Sequence, residues 1–294
     1  MENAANLKHN ELYQAMMNWR SVRRYDQQPL SERVLDKIQA ESRDVKGLVS
    51  QNRFTVPVRD VVTGDDLVAA LGAYGRILSP PHFMVPYLVG NTHVLTDLAF
   101  RTHQVVVKMA SKGLGCCYIG SLGRETTIRA RFVLRRQARV GAVVIFGYPA
   151  KALTGRTINT AMRRAMGSNT RKPLDELFFQ NNFRKPQDPP KWLRPLLEAG
   201  RRAPSALNVQ PCRYFLRRKT LYLFVKKENA KYGKGVKQNY RLYDAGISMA
   251  NITLTLQAMS LPTRWKLLDA SGQEGIPQHP ETLEPVASLA LTAL

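Results

Sequence analysis

Acidic residues are scarce in this chain: 22 Asp and Glu stand against 44 Lys and Arg, for a formal net charge of +22 over 294 residues. Cysteine is scarcer still, with only Cys116, Cys117 and Cys212. An odd count with an adjacent pair excludes a disulfide framework and a CxxC metal site. The three read as small buried hydrophobes of a reducing compartment. The five histidines, His9, His82, His93, His103 and His279, have no metal-ligand spacing, so no metal is expected. There is no GxGxxG or Walker sequence. No apolar run reaches about 18 residues, so no membrane span is expected. The opening "MENAANLKHNELYQ" lacks the apolar stretch of a signal peptide, and the expected location is cytoplasmic. What is present is a chain of near-average composition, 44% hydrophobic and 22% charged, long enough to bury a core without cross-links.

Much of the basic excess lies in residues 182–241, which hold 16 Lys or Arg and three acids, Asp188, Glu198 and Glu228. One reading is a patch for nucleic acid or another anionic surface. The other is a solvated shell around a site for phosphate-bearing small molecules. Zinc-finger spacing, an aromatic RNA-binding block and a basic heptad helix are all missing from the window, so no specific nucleic-acid partner is expected.

Periodicity predicts a helix over 11–19 with Leu12, Tyr13, Met16 and Met17 on one side. It predicts a second helix capped by Ser31 and carrying Val34, Leu35 and Ile38. "HFMVPYLVG" (82–90) reads as a strand bent at its proline. A long apolar helix starts near Asp97 and ends at "KGLG", with Gly113 and Gly115 as candidate C-cap glycines. "VGAVVIFGYP" reads as a buried strand. After a loop-rich bridge (151–190) come a helix ending at "AGRRAPS", a hairpin of "RYFLRR" and "LYLFVKK", a second long helix from Asp244, and a last strand in "VASLALTAL". A shift of 147 lays Asp97 on Asp244, Tyr118 on Trp265, and "GAVVIFG" on "SLALTAL". The order of helix, aromatic and strand is thus repeated, which predicts two similar halves, 1–168 and 169–294, packed as the subunits of an isologous dimer pack.

Two segments carry candidate chemistry. "RSVRRY" places Arg20, Ser21 and Arg23 within four residues. It reads either as a solvated basic turn or as a phosphate grip, since a guanidinium fork suits a phosphate. "APSALNVQP" holds Asn208 and Gln210 between Pro204 and Pro211. On extended chain these alternate residues would share a face and could read the polar edge of a planar heterocycle. A plain helix end with satisfied amides is the other reading.

Together these segments resemble the nitroreductase family of flavoenzymes. The resemblance rests on Arg20-Ser21-Val22-Arg23-Arg24-Tyr25, on Ala203-Pro204-Ser205 with Asn208 and Gln210-Pro211, on Gly113-Leu114-Gly115 with Tyr118-Ile119-Gly120, and on Gly147-Tyr148-Pro149. The order, with RSVR and GLG in the first half and APS in the second, is similar to the single-chain subfamily often called putative TM nitroreductases. It implies an α+β fold: two fused α/β lobes forming an intramolecular pseudo-dimer, with an FMN site at their junction in a monomer.

What the resemblance implies can be taken residue by residue. Arg20 and Arg23 would pair with the FMN phosphate, with Ser21 nearby. Ser205, Asn208 and Gln210 would meet the ribityl chain and the pyrimidine edge, and Pro204 would pack near the ring. Ile119 and Gly120, following Tyr118, would lie along the isoalloxazine, with a backbone N–H near N5. Arg171 and Lys172 are the best match for a basic pair reaching the phosphate, and Lys151 is a rival. Cys212 and Tyr118 stand where tryptophan is common. The first half has "AESRDVKGLVSQN" where a second APS segment would stand. The second half has "RKPQDPPKW" in place of RSVR and Ser260-Leu261-Pro262 in place of GLG, so one FMN per chain is expected. The implied activity is hydride transfer from NADH or NADPH through FMN to a small-molecule acceptor, a nitroaromatic or quinone. The alternatives are an FMN-binding sensor or carrier and a basic nucleic-acid-binding protein.

Overall fold

A computed structural model describes residues 7, 10–60, 64–150, 170–269 and 275–292. The chain divides into two compact units. The first lobe is Asn18–Asn169; the second is Thr170–Leu294 together with Met1–Met17. The opening helix α1 (Glu11–Asn18) therefore belongs almost wholly to the second lobe. Within that lobe the Arg202 guanidinium donates to the Met17 carbonyl at 2.9 Å.

In the first lobe α2 (Glu32–Arg43) starts after Ser31. Ser31 is extended, as an N-cap should be, but its side chain makes no capping bond. Short strands β1 (Arg53–Thr55) and β2 (Val58–Asp60) and helix α3 (Gly64–Leu71) follow. The stretch expected as one bent strand is two, β3 (His82–Met84) and β4 (Tyr87–Val89), which pair in different sheets. Proline has no N–H to give a ladder, and Pro86 stands at the break. Helix α4 (Val94–Ser111) leads to β5 (Gly115–Gly120), α5 (Glu125–Arg131) and β6 (Ala142–Gly147). The sheet order is β2-β3-β6-β5, antiparallel throughout. Both faces are buried: Cys116, Val144 and Phe146 enter one apolar cluster, and Cys117, Val143 and Ile145 enter another. That is why the β6 sequence is an unbroken apolar run.

The second lobe adds β7 (Phe178–Gln180), α6 (Arg194–Arg202), β8 (Cys212–Arg217), β9 (Thr220–Lys226), α7 (Tyr240–Ala258), β10 (Trp265–Leu267) and β11 (Leu283–Ala290). Its sheet order is β10-β11-β9-β8-β7, with only β7 parallel to its neighbour. Without β7 this is the first-lobe order again, and in each lobe the long helix stands between the hairpin and the next two strands. Shifting α4 by 147 makes its last residue coincide with that of α7.

The strand equivalence differs from the sequence reading. Tyr118 pairs with Val144, whereas Trp265 pairs with Leu289. With Tyr118 laid on Trp265, the final strand is shifted by 145 rather than 147. The slip is even, so each strand keeps its faces and the apolar pattern concealed it.

The two helix ends match as well. Leu114 N–H bonds the Met109 carbonyl and Gly113 N–H that of Ala110, a Schellman cap with Gly113 at φ 79°. Leu261 N–H bonds Leu256 and Ser260 N–H bonds Gln257, the same cap with Ser260 at φ 58°. Gly115 is not a cap residue: it opens β5, and a Cβ there would lie 2.8 Å from the Val22 side chain.

Candidate functional site

The residues expected to bind a cofactor fall into two sets, one in each lobe. In the first lobe the RSVRRY turn runs beside β5 and the end of β6. Val22 N–H donates to the Cys116 carbonyl at 3.0 Å, and Asp26 N–H to that of Tyr148 at 2.9 Å. Tyr25 bridges Pro149, and its buried hydroxyl donates to the carbonyls of Val22 and Ile145. Burial pushes that phenol well above its usual range, so it stays a neutral donor. Gly147 permits this packing, because a Cβ there would meet Pro81 at 2.5 Å and the Tyr25 ring at 3.3 Å. The motifs RSVR, GLG and GYP are therefore one packed unit, with both glycines required by close approach.

Arg20 is exposed, with its guanidinium on the Trp19 carbonyl at 2.7 Å. Arg23 is buried and lies near Cys117. Burial raises the Cys117 thiol, while Arg23 and a bond to the Ser21 hydroxyl pull it back. Ser21 is half-buried. Of the two arginines of the RSVR motif, Arg20 meets solvent and Arg23 does not; Arg24, which follows the motif, is also exposed.

β5 is the edge strand of its sheet. Antiparallel pairs alternate between bonded and non-bonded, and Ser121 N–H donates to Gly141. By that alternation Ile119 spends its N–H on Val143, while Gly120 turns its N–H away from β6. The Ile119 side chain is buried in the core and Gly120 is exposed, so Gly120 carries the outward backbone donor of the pair. Tyr118 is half-buried, and its hydroxyl meets His103 Nδ1 at 2.9 Å.

In the second lobe the segment after α6 is not extended. Residues 206–208 form a tight turn, and Leu207, Asn208 and Gln210 all have positive φ, at 51°, 54° and 53°. Asn208 and Gln210 do not share a face by strand alternation, as the sequence reading had it. They are brought together because both engage the preceding strap. Arg171 donates to Asn208 Oδ1, Asn208 Nδ2 to the Thr170 carbonyl at 2.9 Å, and Lys172 N–H to Gln210 Oε1 at 2.8 Å. The Ser205 hydroxyl accepts Gln210 N–H at 2.9 Å. Arg171, Lys172, Ser205, Asn208 and Gln210 are therefore one connected cluster. Lys151 lies outside the described residues.

Beneath this loop is a group to which the sequence reading gave no role. Asp244 of α7 is 3% exposed, and both its oxygens accept Ala206 N–H, at 3.0 and 3.1 Å. Tyr232 donates its hydroxyl to the same carboxyl at 2.7 Å. Beside it is a cavity of about 20 Å³, enough for roughly one water. Pro204, Ser205, Gln210, Cys212 and Ser248 are among its lining residues. The available signal was a carboxylate in the otherwise uncharged run "DAGISMANITL". Burial pushes Asp244 up to about 7, with Tyr232 and Ala206 opposing the shift.

All three cysteines are buried, and burial raises each thiol. Among the described residues no group of three His, Cys, Asp or Glu is placed to hold a metal, and no helix is long and apolar enough to cross a membrane.

A search of curated proteins finds no match. Among solved structures, a putative nitroreductase from Thermotoga maritima MSB8 matches at 19% identity and TM-score 0.57, over 96% of this chain and 94% of that one. This is a likeness of fold over both lobes. An FMN-dependent nitroreductase from Clostridium difficile R20291 matches at 18% identity and TM-score 0.40, over 47% of this chain and 87% of that one. A putative nitroreductase in complex with FMN from Desulfovibrio desulfuricans matches at 20% identity and TM-score 0.42, over 48% of this chain and 88% of that one. The family model described as "Putative TM nitroreductase" matches residues 11–255. The fold is α+β and nitroreductase-like, and the chain belongs to the Putative TM nitroreductase family of oxidoreductases.

Proposed function

We propose that this chain is an FMN-dependent NAD(P)H oxidoreductase that binds one FMN with residues of both lobes, acting as a monomeric, cytoplasmic pseudo-dimer. The observation that carries this reading is the family match over 11–255, which spans both polar sets. The donor chemistry fits FMN. Arg20 offers an exposed guanidinium to a phosphate, and Ser21 and the Arg171–Lys172 pair lie within their own clusters. Asn208 and Gln210 offer amides able to donate and accept along a heterocycle edge. Gly120 offers an outward N–H and adds no side-chain bulk.

When bound, FMN supplies hydride transfer, first from NADH or NADPH and then to a nitroaromatic, quinone or similar acceptor, by ping-pong turnover. The protein supplies binding, orientation and field. The surplus of Lys and Arg attracts phosphate-bearing donors and favours a flavin that gains negative charge on reduction. No side chain is assigned a proton-transfer step.

Reconstitution with FMN tests the reading. A yellow protein that NADH or NADPH bleaches anaerobically, and that an acceptor recolours, is the expected result. A yellow protein that neither donor bleaches would favour a flavin carrier. A protein that takes up no FMN would sink both, and would leave the basic surface as the main clue to its partner.

A further inference from the structure

The two lobes hold equivalent carboxylates differently. Asp97, fully buried on α4, accepts Leu48 N–H at 2.7 Å and Asn52 Nδ2 at 3.0 Å from the loop that follows α2. Arg101, one turn further on, pairs with it at 3.1 Å and donates to the Val49 carbonyl of the same loop at 2.8 Å. At the position equivalent to Arg101 the second lobe has Ser248, which bonds Tyr214 at 2.8 Å. Among the described residues no Lys, Arg or His lies within ion-pair distance of Asp244. Its partners are a backbone N–H and a phenol.

We propose that Asp244 is a positioning residue for the cofactor loop, fixing residues 203–211 through Ala206 N–H, and that for want of a counter-cation its hold weakens as the carboxyl ionises. This rests on the FMN reading above. A buried carboxylate without a cation loses hydration that two hydrogen bonds do not fully replace. The loop packs over it only at that cost, and opening the loop restores water. The protonated carboxyl has no such cost and can still accept Ala206 N–H.

Burial outweighs the Ala206 and Tyr232 bonds, which by themselves favour the ionised carboxyl, so Asp244 keeps its proton more tightly than a solvated carboxyl. With the loop supplying part of that burial, by linkage the closed state is favoured at low pH and lost as pH rises through the raised value. The groups facing Asp244 are Tyr232 from the 230–232 turn and Cys212 from β8. Arg241 of α7 lies near Tyr232 and is paired with Glu284, and Arg213 adjoins Cys212. Tyr214 and Arg201 line the adjoining cavity, Arg201 being paired with Glu198. Burial raises Tyr232, Tyr214 and Cys212, the last to about 12, which leaves Asp244 as the member of this set that titrates near neutrality.

The test is FMN affinity from about pH 6 to about pH 8 for the full chain, for Asp244→Asn and for Asp244→Ala. Hydrogen-exchange protection of residues 203–211 would be measured in the same proteins without FMN. Asn keeps the acceptor and cannot ionise. With a carboxyl that titrates near 7, native affinity is expected to fall about tenfold over this range. Asp244→Asn should stay tight and flat, Asp244→Ala should be weak throughout, and loop protection should follow the same pattern. The FMN phosphate titrates alike in all three proteins, so the difference between them isolates Asp244.

Parallel profiles for the native chain and Asp244→Asn would overturn the proposal. So would equal weakening by Asn and Ala at every pH. If the native chain took up no FMN at any pH, the FMN reading would fall; loop protection would then still judge the hold of Asp244, and parallel protection profiles would overturn that as well.

Discussion

The first-lobe loop 44–52 and the second-lobe loop 203–211 occupy the same place in the repeat, each of nine residues between a helix end and the next strand. The space beneath one is filled, and beside the other a water-sized cavity remains. In the first lobe the Arg101 side chain lies so close under the loop that a Cβ on Gly47 would be 1.8 Å from its guanidinium. In the second lobe the equivalent Ser248 is short, and a water-sized cavity remains beside Ser205, Gln210 and Asp244. The Arg-to-Ser difference thus accompanies a change from a loop packed on an internal ion pair to a loop whose Asn208 and Gln210 bond residues 170–172. This is a physical reason for the single FMN per chain that we propose: the first-lobe loop has spent its Val49 carbonyl on its own arginine.

Breaking the filled loop should produce the largest effect. Arg101→Ala removes the cation from a fully buried Asp97, and an uncompensated buried charge costs roughly 3–5 kcal/mol. Thermal unfolding should show a large drop in midpoint, whereas a change under about 1 kcal/mol would mean that the pair does not hold the loop.

Loss of FMN grip comes next. Arg20→Ala removes an exposed charged donor, worth about 1.5–3 kcal/mol when bonded to a phosphate. Affinity should weaken by roughly ten- to a hundredfold at unchanged fold stability. Equal FMN affinity in variant and native chain would place the phosphate elsewhere.

Gly115→Ala should follow. Its Cβ must displace Val22, and overpacking costs about 1–3 kcal/mol. Because Val22 lies between Ser21 and Arg23, the change should lower both the melting midpoint and FMN affinity. A neutral result would mean that GLG and RSVR are not coupled by packing.

The smallest effect compares the two helix ends. Ser260→Gly relieves a left-handed serine where the first lobe already has Gly113, and should stabilise by up to about 1 kcal/mol. A loss of stability would show that the serine side chain contributes something the cap geometry does not reveal.

The repeat was legible because apolar helix and strand patterns survive substitution: Asp97 fell on Asp244 and Tyr118 on Trp265. The two-residue slip in the last strand was not, since an even shift preserves every face. The RSVR, GLG and GYP motifs could be read as a set, but their mutual packing could not, because no local pattern tells a glycine needed for a turn from one needed for close approach. The loop 203–211 misled most. Three non-glycine residues with positive φ are uncommon, and the backbone adopts them here around bonds to Asp244 and to residues 170–172, which are distant in sequence. For the same reason Asp244 looked like a marker of alignment rather than a group with work to do.

FMN stoichiometry tests the central claim most directly. Visible absorbance of the reconstituted chain, set against protein concentration and repeated across an FMN titration, should saturate at one FMN per chain. Saturation at two would contradict the closed first-lobe loop, and no uptake at all would contradict the flavin reading.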